Sequence, residues 1–308
     1  MLRFCLFNGR RLGCCALIAF LLQIPSVQAE TLNVHLLLSE GTAPYQQFSE
    51  AFKNALAGSD VSIIVSQVGE SLPRSRKFDL VVAAGMKATE SALSDYEVPL
   101  LSMMITRANF EMLRERLFAQ SAHRAPMSAI YLDQSWDRQF NFIKAALPAH
   151  SVVGMLYSPE AHITLPRLPR GMSINAQSVR SSELLFSTLE NILNNSEVLL
   201  VIPDSEIYSA NNMRNILLTS YRYKIPMVGI SQAYVNAGAL CAIFSTPEQF
   251  GLQAAQALSV YAKDRQLPDP QYSELYSIAV NQQVAHSMGI IIDTPEEIRL
   301  RMSKELKR

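Results

Sequence analysis

The chain carries no net charge at neutral pH, with 27 Lys and Arg against 27 Asp and Glu. A nucleic-acid binder needs a basic excess to neutralise phosphates, so that class of partner is set aside. Cysteine is scarce. Cys5, Cys14 and Cys15 stand in the first fifteen residues, which leaves Cys241 alone in the body of the chain. One cysteine forms no intramolecular disulfide, so the core must hold the fold by itself. Cys241 lies in the apolar run Ala239–Phe244 and reads as a small buried hydrophobe rather than a reactive thiol. Enzyme signatures are missing too: there is no His-Glu-x-x-His, no cysteine pair for zinc and no Walker loop. His35, His123, His150, His162 and His286 are scattered without ligand spacing, so neither a metal nor a cofactor is expected. The stretch from Gly229 to Ala233 resembles a nucleophile elbow but lacks its second glycine. Beyond the N-terminus no apolar run approaches the length of a membrane span, and no repeat or low-complexity tract is visible.

What is present is globular: 49% of the residues are apolar and 18% charged. The length suits roughly two domains. The first residues read as a secretory signal. Arg3, Arg10 and Arg11 supply a positive start, Cys14 to Leu22 an apolar run, and Val27-Gln28-Ala29 small residues for cleavage. Cleavage after Ala29 would leave 279 of the 308 residues, with 24 basic and 27 acidic groups, in a periplasmic protein.

Short apolar runs then alternate with segments of helical period. The runs are Leu32–Leu38, Val61–Ser66, Phe78–Ala84, Val98–Ile105, Met127–Leu132, Ser151–Tyr157, Val198–Ile202, Ile225–Ile230 and Ala239–Phe244. Most lack alternation, as strands buried on both faces of a parallel sheet do. Between them, Tyr45, Phe48, Phe52 and Leu56 form an apolar stripe, as do Trp136, Phe140, Ile143 and Leu147. Leu185, Leu189 and Ile192 form another, and so do Phe250, Ala254, Ala257 and Tyr261, after the start signal Thr246-Pro247-Glu248. The pattern predicts an α/β protein with two doubly wound parallel sheets. In such sheets ligands bind beyond the carboxyl ends of the strands, so two facing lobes would enclose a cleft.

From about Asp133 onward the sequence resembles the periplasmic substrate-binding proteins of ABC transporters, in the branch that includes tryptophan- and other aromatic-amino-acid-binding members. The resemblance rests on Tyr131-Leu132-Asp133-Gln134, Arg138-Gln139, Ile143 to Pro148, Val153 to Pro159 and Leu200 to Asp204. It continues through Ile225 to Val228, Gly238-Ala239-Leu240, Phe250 to Ala255 and Ala285 to Ile290. It implies a type I periplasmic-binding fold whose lobes are joined by a three-crossover hinge, with crossovers near Met127–Asp133, Ala242–Thr246 and Glu274–Val280. The N-terminal lobe would comprise residues 30–130 and 245–275, and the C-terminal lobe 131–244 and 276–308. The implied role is capture of a small polar solute for ABC-type uptake, handed to a membrane permease. The other reading is a ligand-sensing subunit that docks on a membrane sensor. Helices expected of the family between Val65 and Phe78 and between Tyr157 and Ser173 are cut down, the second by Pro159, Pro166, Pro169 and Gly171. Sheet faces left bare there would favour a partner or homodimer.

Candidate ligand-binding residues are the polar groups at strand ends. In the first lobe they are Ser39, Glu40, Thr42, Gly85, Met86, Lys87, Thr106 and Arg107. In the second they are Tyr157, Ser158, Asp204, Ser205, Ser231 and Gln232. Lys87 and Arg107 stand where amino-acid-binding relatives carry neutral and acidic residues. If they face the cleft, they favour an anionic group on the ligand. Asp204 and Ser231 are expected to contact the ligand while contributing little to the stability of the empty protein.

Overall fold

In the computed structural model, residues 31–70, 77–120, 125–161, 163–165 and 167–305 are described. The expected signal and its cleavage site lie outside them. The chain begins with strands β1 (Leu32–Leu38), β2 (Val61–Gln67), β3 (Leu80–Ala84), β4 (Leu100–Ile105) and β5 (Met127–Tyr131). Helices α1 (Ala43–Ala55), α2 (Met86–Asp95) and α3 (Arg107–Gln120) connect them. Next come α4 (Trp136–Ala146), β6 (Val152–Tyr157), β7 (Ser173–Ser178), α5 (Leu185–Asn194), β8 (Val198–Leu200) and α6 (Ala210–Arg222). β9 (Met227–Gly229), α7 (Gln232–Ala237), β10 (Cys241–Phe244) and α8 (Pro247–Asp264) follow. The chain closes with β11 (Gln271–Tyr272), β12 (Ser277–Val280), α9 (Gln282–Met288) and α10 (Pro295–Glu305). No helix among the described residues is long and apolar enough to cross a membrane.

The strands form two six-stranded sheets, ordered β11-β5-β4-β3-β1-β2 and β12-β10-β9-β8-β6-β7. All neighbours are parallel except β12, which runs antiparallel to β10. The chain therefore passes between sheets three times: after β5, after β10 and between β11 and β12. The long apolar strands fall where their composition places them, because β1, β3 and β4 are covered on both faces.

The second passage is held by α8, which lies against α1 over the first sheet. Phe48 and Phe52 of α1 meet Phe250, Ala254, Leu258 and Tyr261 of α8 in one buried cluster. Each buried Phe or Leu there contributes about 1.5–3 kcal/mol. Gly251 permits the close approach, since a Cβ at that position would stand 2.7 Å from the Phe48 carbonyl oxygen and 2.8 Å from the Phe52 nitrogen. The start of α8 is fixed by a capping box. Thr246 Oγ1 accepts from the Gln249 N–H at 3.2 Å, and Gln249 Oε1 accepts from the Thr246 N–H at 2.9 Å.

Three strands were not predicted. β7 is a polar edge strand, Ser-Ile-Asn-Ala-Gln-Ser, in which Gln177 bonds to Asn191 and Asn175 to Ser196. β11 has two residues, too few for any pattern. β12 occupies the stretch read as the third crossover, which is shortened to the residues between Tyr272 and Ser277. The trimmed connections also supply cover of their own. Leu168 and Met172 pack beside Ile174 on the second core, and Phe78 stacks on His35 at 4.9 Å between centroids.

Candidate functional site

The three passages between sheets are bonded to one another. Gln134 Nε2 donates to Ser245 Oγ at 3.0 Å, and Ser245 Oγ donates to the Leu275 carbonyl at 2.7 Å. Arg138 Nη1 donates to Gln134 Oε1 at 2.5 Å and to the Ser273 carbonyl at 2.6 Å. The Arg138 guanidinium also lies over the Tyr276 ring at 4.8 Å. One polar network thus touches all three crossings.

A cavity of about 150 Å³ opens beside that network. Its lining comes from strand ends of the second sheet and from the crossing that leaves β5. Leu132 and Asp133 follow β5, Pro203 follows β8, Ile230 and Ser231 follow β9, and Ile243 and Phe244 end β10. Tyr234 of α7, Gln139 of α4 and Gln134 complete it. The carboxylate of Asp133 accepts the Arg107 backbone N–H at 2.8 Å, and burial pushes its pKa upward. Gln139 is 3% exposed, and its Oε1 has no hydrogen-bond partner. Ser231 starts α7 without forming a side-chain cap, which leaves its hydroxyl beside the cavity.

Most of the strand-end residues singled out from the sequence are engaged within the protein. Ser39 Oγ accepts from the Ala88 N–H at 3.0 Å and is buried. Gly85 adopts a φ of +92°, and a Cβ there would meet Ser39 Oγ and Tyr45 Oη at 2.5 Å, so only glycine fits. Glu40 and Lys87 pair with each other at 2.7 Å on the surface, with side chains 48% and 66% exposed. Lys87 therefore does not bring an unbalanced charge to the cleft. Thr42 is exposed and begins α1 without a side-chain cap, and Met86 packs beside Ile105 and Phe110. Thr106 Oγ1 accepts from the Asn109 N–H at 3.3 Å, an ordinary helix-start bond. The Arg107 guanidinium donates to Tyr272 Oη at 3.4 Å.

In the second lobe Asp204 is the clearest departure from expectation. Its Oδ2 accepts the Ser158 N–H at 2.6 Å, and its Oδ1 accepts the N–H groups of Glu206 at 3.1 Å and Ile207 at 3.2 Å. The side chain ties the end of β6 to the turn after β8, so its main work is structural. Tyr157 is half-buried, Ser158 buried and Ser205 exposed, while Gln232 Nε2 donates to Asn236 Oδ1 at 2.9 Å. Of the fourteen residues, the cavity lining includes Ser231 alone. A second cavity of about 160 Å³ lies at the outer strand ends, between Glu160, Arg180, Glu206 and Asn212. There the neighbouring Glu160 carboxylate raises the pKa of Glu206. No group of three or more potential metal ligands is gathered among the described residues.

Asp133, Gln134 and Gln139 were not among the candidates. A signal existed for Gln139: it interrupts the apolar face marked by Trp136, Phe140 and Ile143. A buried polar side chain on such a face needs a partner.

Two α/β sheets joined by three crossings, with a cavity at the junction, define a ligand-binding protein of the type I periplasmic-binding fold. Residues 128–304 match the family model for the ABC transporter substrate binding protein, and the chain belongs to that family. Its members hold ligands without turning them over, so the chain is a binder and not an enzyme.

Among solved structures, a conserved domain protein from Vibrio cholerae is 17% identical with a TM-score of 0.58, covering 88% of this chain and 98% of its own. The ABC domain from Streptococcus pneumonia in complex with L-Trp is 16% identical, with the same TM-score and the same coverage of both chains. The ligand-free, open structure of CD0873, a substrate binding protein with adhesive properties from Clostridium difficile, is 16% identical with a TM-score of 0.64. That likeness covers 86% of this chain and 97% of the other. At these identities the likeness is one of fold. No curated protein matches the chain by sequence.

Proposed function

We propose that this is an extracytoplasmic solute-binding protein that captures one small polar molecule between its lobes and delivers it to the permease of an ABC transporter. The observation that carries the reading is the cavity at the junction, lined by strand ends of the second sheet and by the crossing after β5, beside the network that bonds all three crossings. A ligand there touches the strand ends of the second lobe and the crossing that leaves β5, so it contacts a segment that a hinge motion would displace. The lobes are taken as residues 30–130 with 245–275 and 131–244 with 276–308. Ser231 is the strand-end candidate retained as a ligand contact, joined by Asp133, Gln134 and Gln139. Export through the N-terminal signal places the mature protein in the periplasm.

Native mass spectrometry of gently purified protein, paired with a thermal-shift screen, tests the reading. A ligand at 100 times its dissociation constant adds about 2.7 kcal/mol if it binds the folded state alone. One bound small molecule, and a raised melting temperature on adding it back, are expected. Turnover of the bound molecule, or failure of any small solute to bind, would overturn the proposal.

A further inference from the structure

The outer strand of the first sheet, β2, lacks the protection that the other sheet edges carry. β11 has two residues and β12 four, and edges so short offer little to a neighbour. β7 is polar, with Asn175 and Gln177 bonded to α5 and its following turn. β2 reads Val-Ser-Ile-Ile-Val-Ser-Gln, seven residues without a charge or a proline, and its register with β1 runs from Val61 to Gln67 without a bulge. Charges, prolines and bulges are the devices that keep exposed edges from pairing. The bonds to β1 show which backbone groups remain. The Asp60 carbonyl accepts from the Leu32 N–H at 3.0 Å, and the Val68 N–H donates to the Leu38 carbonyl at 2.9 Å. Alternate residues of a parallel strand turn both backbone groups to the same neighbour. Even-numbered residues from 60 to 68 therefore face β1, and Val61, Ile63, Val65 and Gln67 face outward. Gln67 is closed by its own turn, since its N–H donates to Glu70 Oε2 and its carbonyl accepts from the Glu70 N–H, both at 3.0 Å. Among the described residues no such bond closes Val61, Ile63 or Val65, whose donors and acceptors stand in a row. Their side chains share the face on which Val61 and Ile63 pack at the margin of the first core, and Val65 is 37% exposed.

We infer that β2 is the contact surface of a homodimer, in which the β2 strands of two copies run antiparallel across a two-fold axis at Ile63. Ile63 then stands opposite Ile63 of the second copy, and Val61 opposite Val65. Each of these pairs exchanges two N–H···O bonds, so every outward donor and acceptor of the three residues is used. The two six-stranded sheets join into one, and the apolar margin of one core meets that of the other. A second copy is the occupant that fits, because the outward residues are β-branched and symmetric about Ile63. Reversed, the strand offers an acceptor for each donor and an apolar side chain for each apolar side chain. Charge agrees with this register. Asp60 falls opposite Ser66 and Glu70 opposite Leu56, so no like charges face each other. The contact is isologous and consumes both β2 edges, which ends the assembly at two copies.

Sedimentation equilibrium of the mature protein tests the inference, and a dimer is expected. Val65→Pro removes an outward donor without touching the bonds to β1, and Val65→Lys sets a charge on the apolar edge. Each should weaken dimerisation about tenfold or more; if the proline variant fails to fold, the lysine variant decides alone. Leu300→Lys, at an exposed position of α10, should leave the dimer unchanged. The register has its own test. Ser62 stands opposite Ile64 of the second copy as a non-hydrogen-bonded pair, whose Cα separation of about 4.5 Å suits a disulfide. Ser62→Cys and Ile64→Cys in one chain should therefore oxidise to a covalent dimer, and Ser62→Cys alone should not. A monomer at about 100 µM, a dimer untouched by the Val65 variants, or assembly that grows past two copies overturns the inference. A monomer leaves the edge to some other partner, and its capture of a solute would leave the solute-binding reading standing. A covalent dimer from Ser62→Cys alone overturns the axis at Ile63.

Discussion

Replacing Asp204 by alanine separates a structural role from a ligand contact. The carboxylate is 7% exposed and accepts three backbone N–H groups, from Ser158, Glu206 and Ile207. Alanine leaves the donors of Ser158 and Ile207 in buried surroundings without partners. Each orphaned buried donor costs about 1–3 kcal/mol, and water entering the vacated space recovers part of that. A total of about 3 kcal/mol is expected for Asp204→Ala. In a domain of this size that lowers the melting temperature by roughly 6–10 °C. Asparagine keeps one acceptor oxygen, so Asp204→Asn should cost about 1 kcal/mol. The neighbouring Ser205 is exposed, and Ser205→Ala should stay within about 0.5 kcal/mol of the parent.

Urea and thermal unfolding of the empty protein are the assay, with the urea slope checked for constancy so that the midpoint reports stability. The strand-end reading of the sequence gives the opposite result. A ligand-contacting Asp204 would leave the empty protein unchanged and abolish ligand-induced stabilisation. An empty-protein midpoint for Asp204→Ala within about 1 °C of the parent would refute the capping argument.

Cys241 is fully buried and burial pushes its thiol up to about 12, so a thiol reagent should label it only upon unfolding; rapid labelling of native protein would contradict the packing. His35 is buried between Phe78 and Tyr96, and its pKa is lowered by burial to about 4. The unfolded chain therefore takes up the proton first, and on the order of 2 kcal/mol of stability should be lost as pH falls from about 6.5 to about 4. His35→Gln should flatten that part of the stability profile, and an unchanged slope would exclude His35 as its source. Gly251→Ala should destabilise by about 1–3 kcal/mol despite alanine's better helix propensity, because its Cβ would press on backbone atoms of α1. A stabilised variant, seen as a higher urea midpoint, would show that α8 can withdraw without loss.

The architecture was legible because its signal is hydrophobic. Leu80–Ala84 is buried throughout and wholly apolar, and Leu32–Leu38 is apolar apart from the exposed Asn33 and the buried His35, because burial on both faces leaves little room for polar residues. The helices were equally clear where one face packs, as in Phe48 and Phe52 or Phe250 and Tyr261. What escaped lacks that constraint. β7 lies at a sheet edge and satisfies its polar side chains through Ser196 and Asn191, so it carries no apolar run. β11 and β12 take their conformation from pairing with β5 and β10, a long-range condition that no local window contains.

The candidate site was less legible for a different reason. Strand order predicts where polar groups collect, but not which of them already have partners. Asp204, Ser39 and Thr106 sit at strand ends, yet each accepts backbone N–H bonds that the fold itself exposes there. Glu197 does the same at the opposite end of its strand, accepting from the N–H groups of Ser151 and Val152, which lowers its pKa. Parallel strands end with unpaired backbone groups at both edges, and short polar residues are selected to meet them. Gln139, on a helix face whose other members are apolar, leaves its oxygen buried with no bond, as do Ser102, Ser128 and the Nδ1 atoms of His35 and His150 away from the cavity lining. Residue type and spacing were visible in the chain; the absence of a partner became visible only when every neighbour had a position.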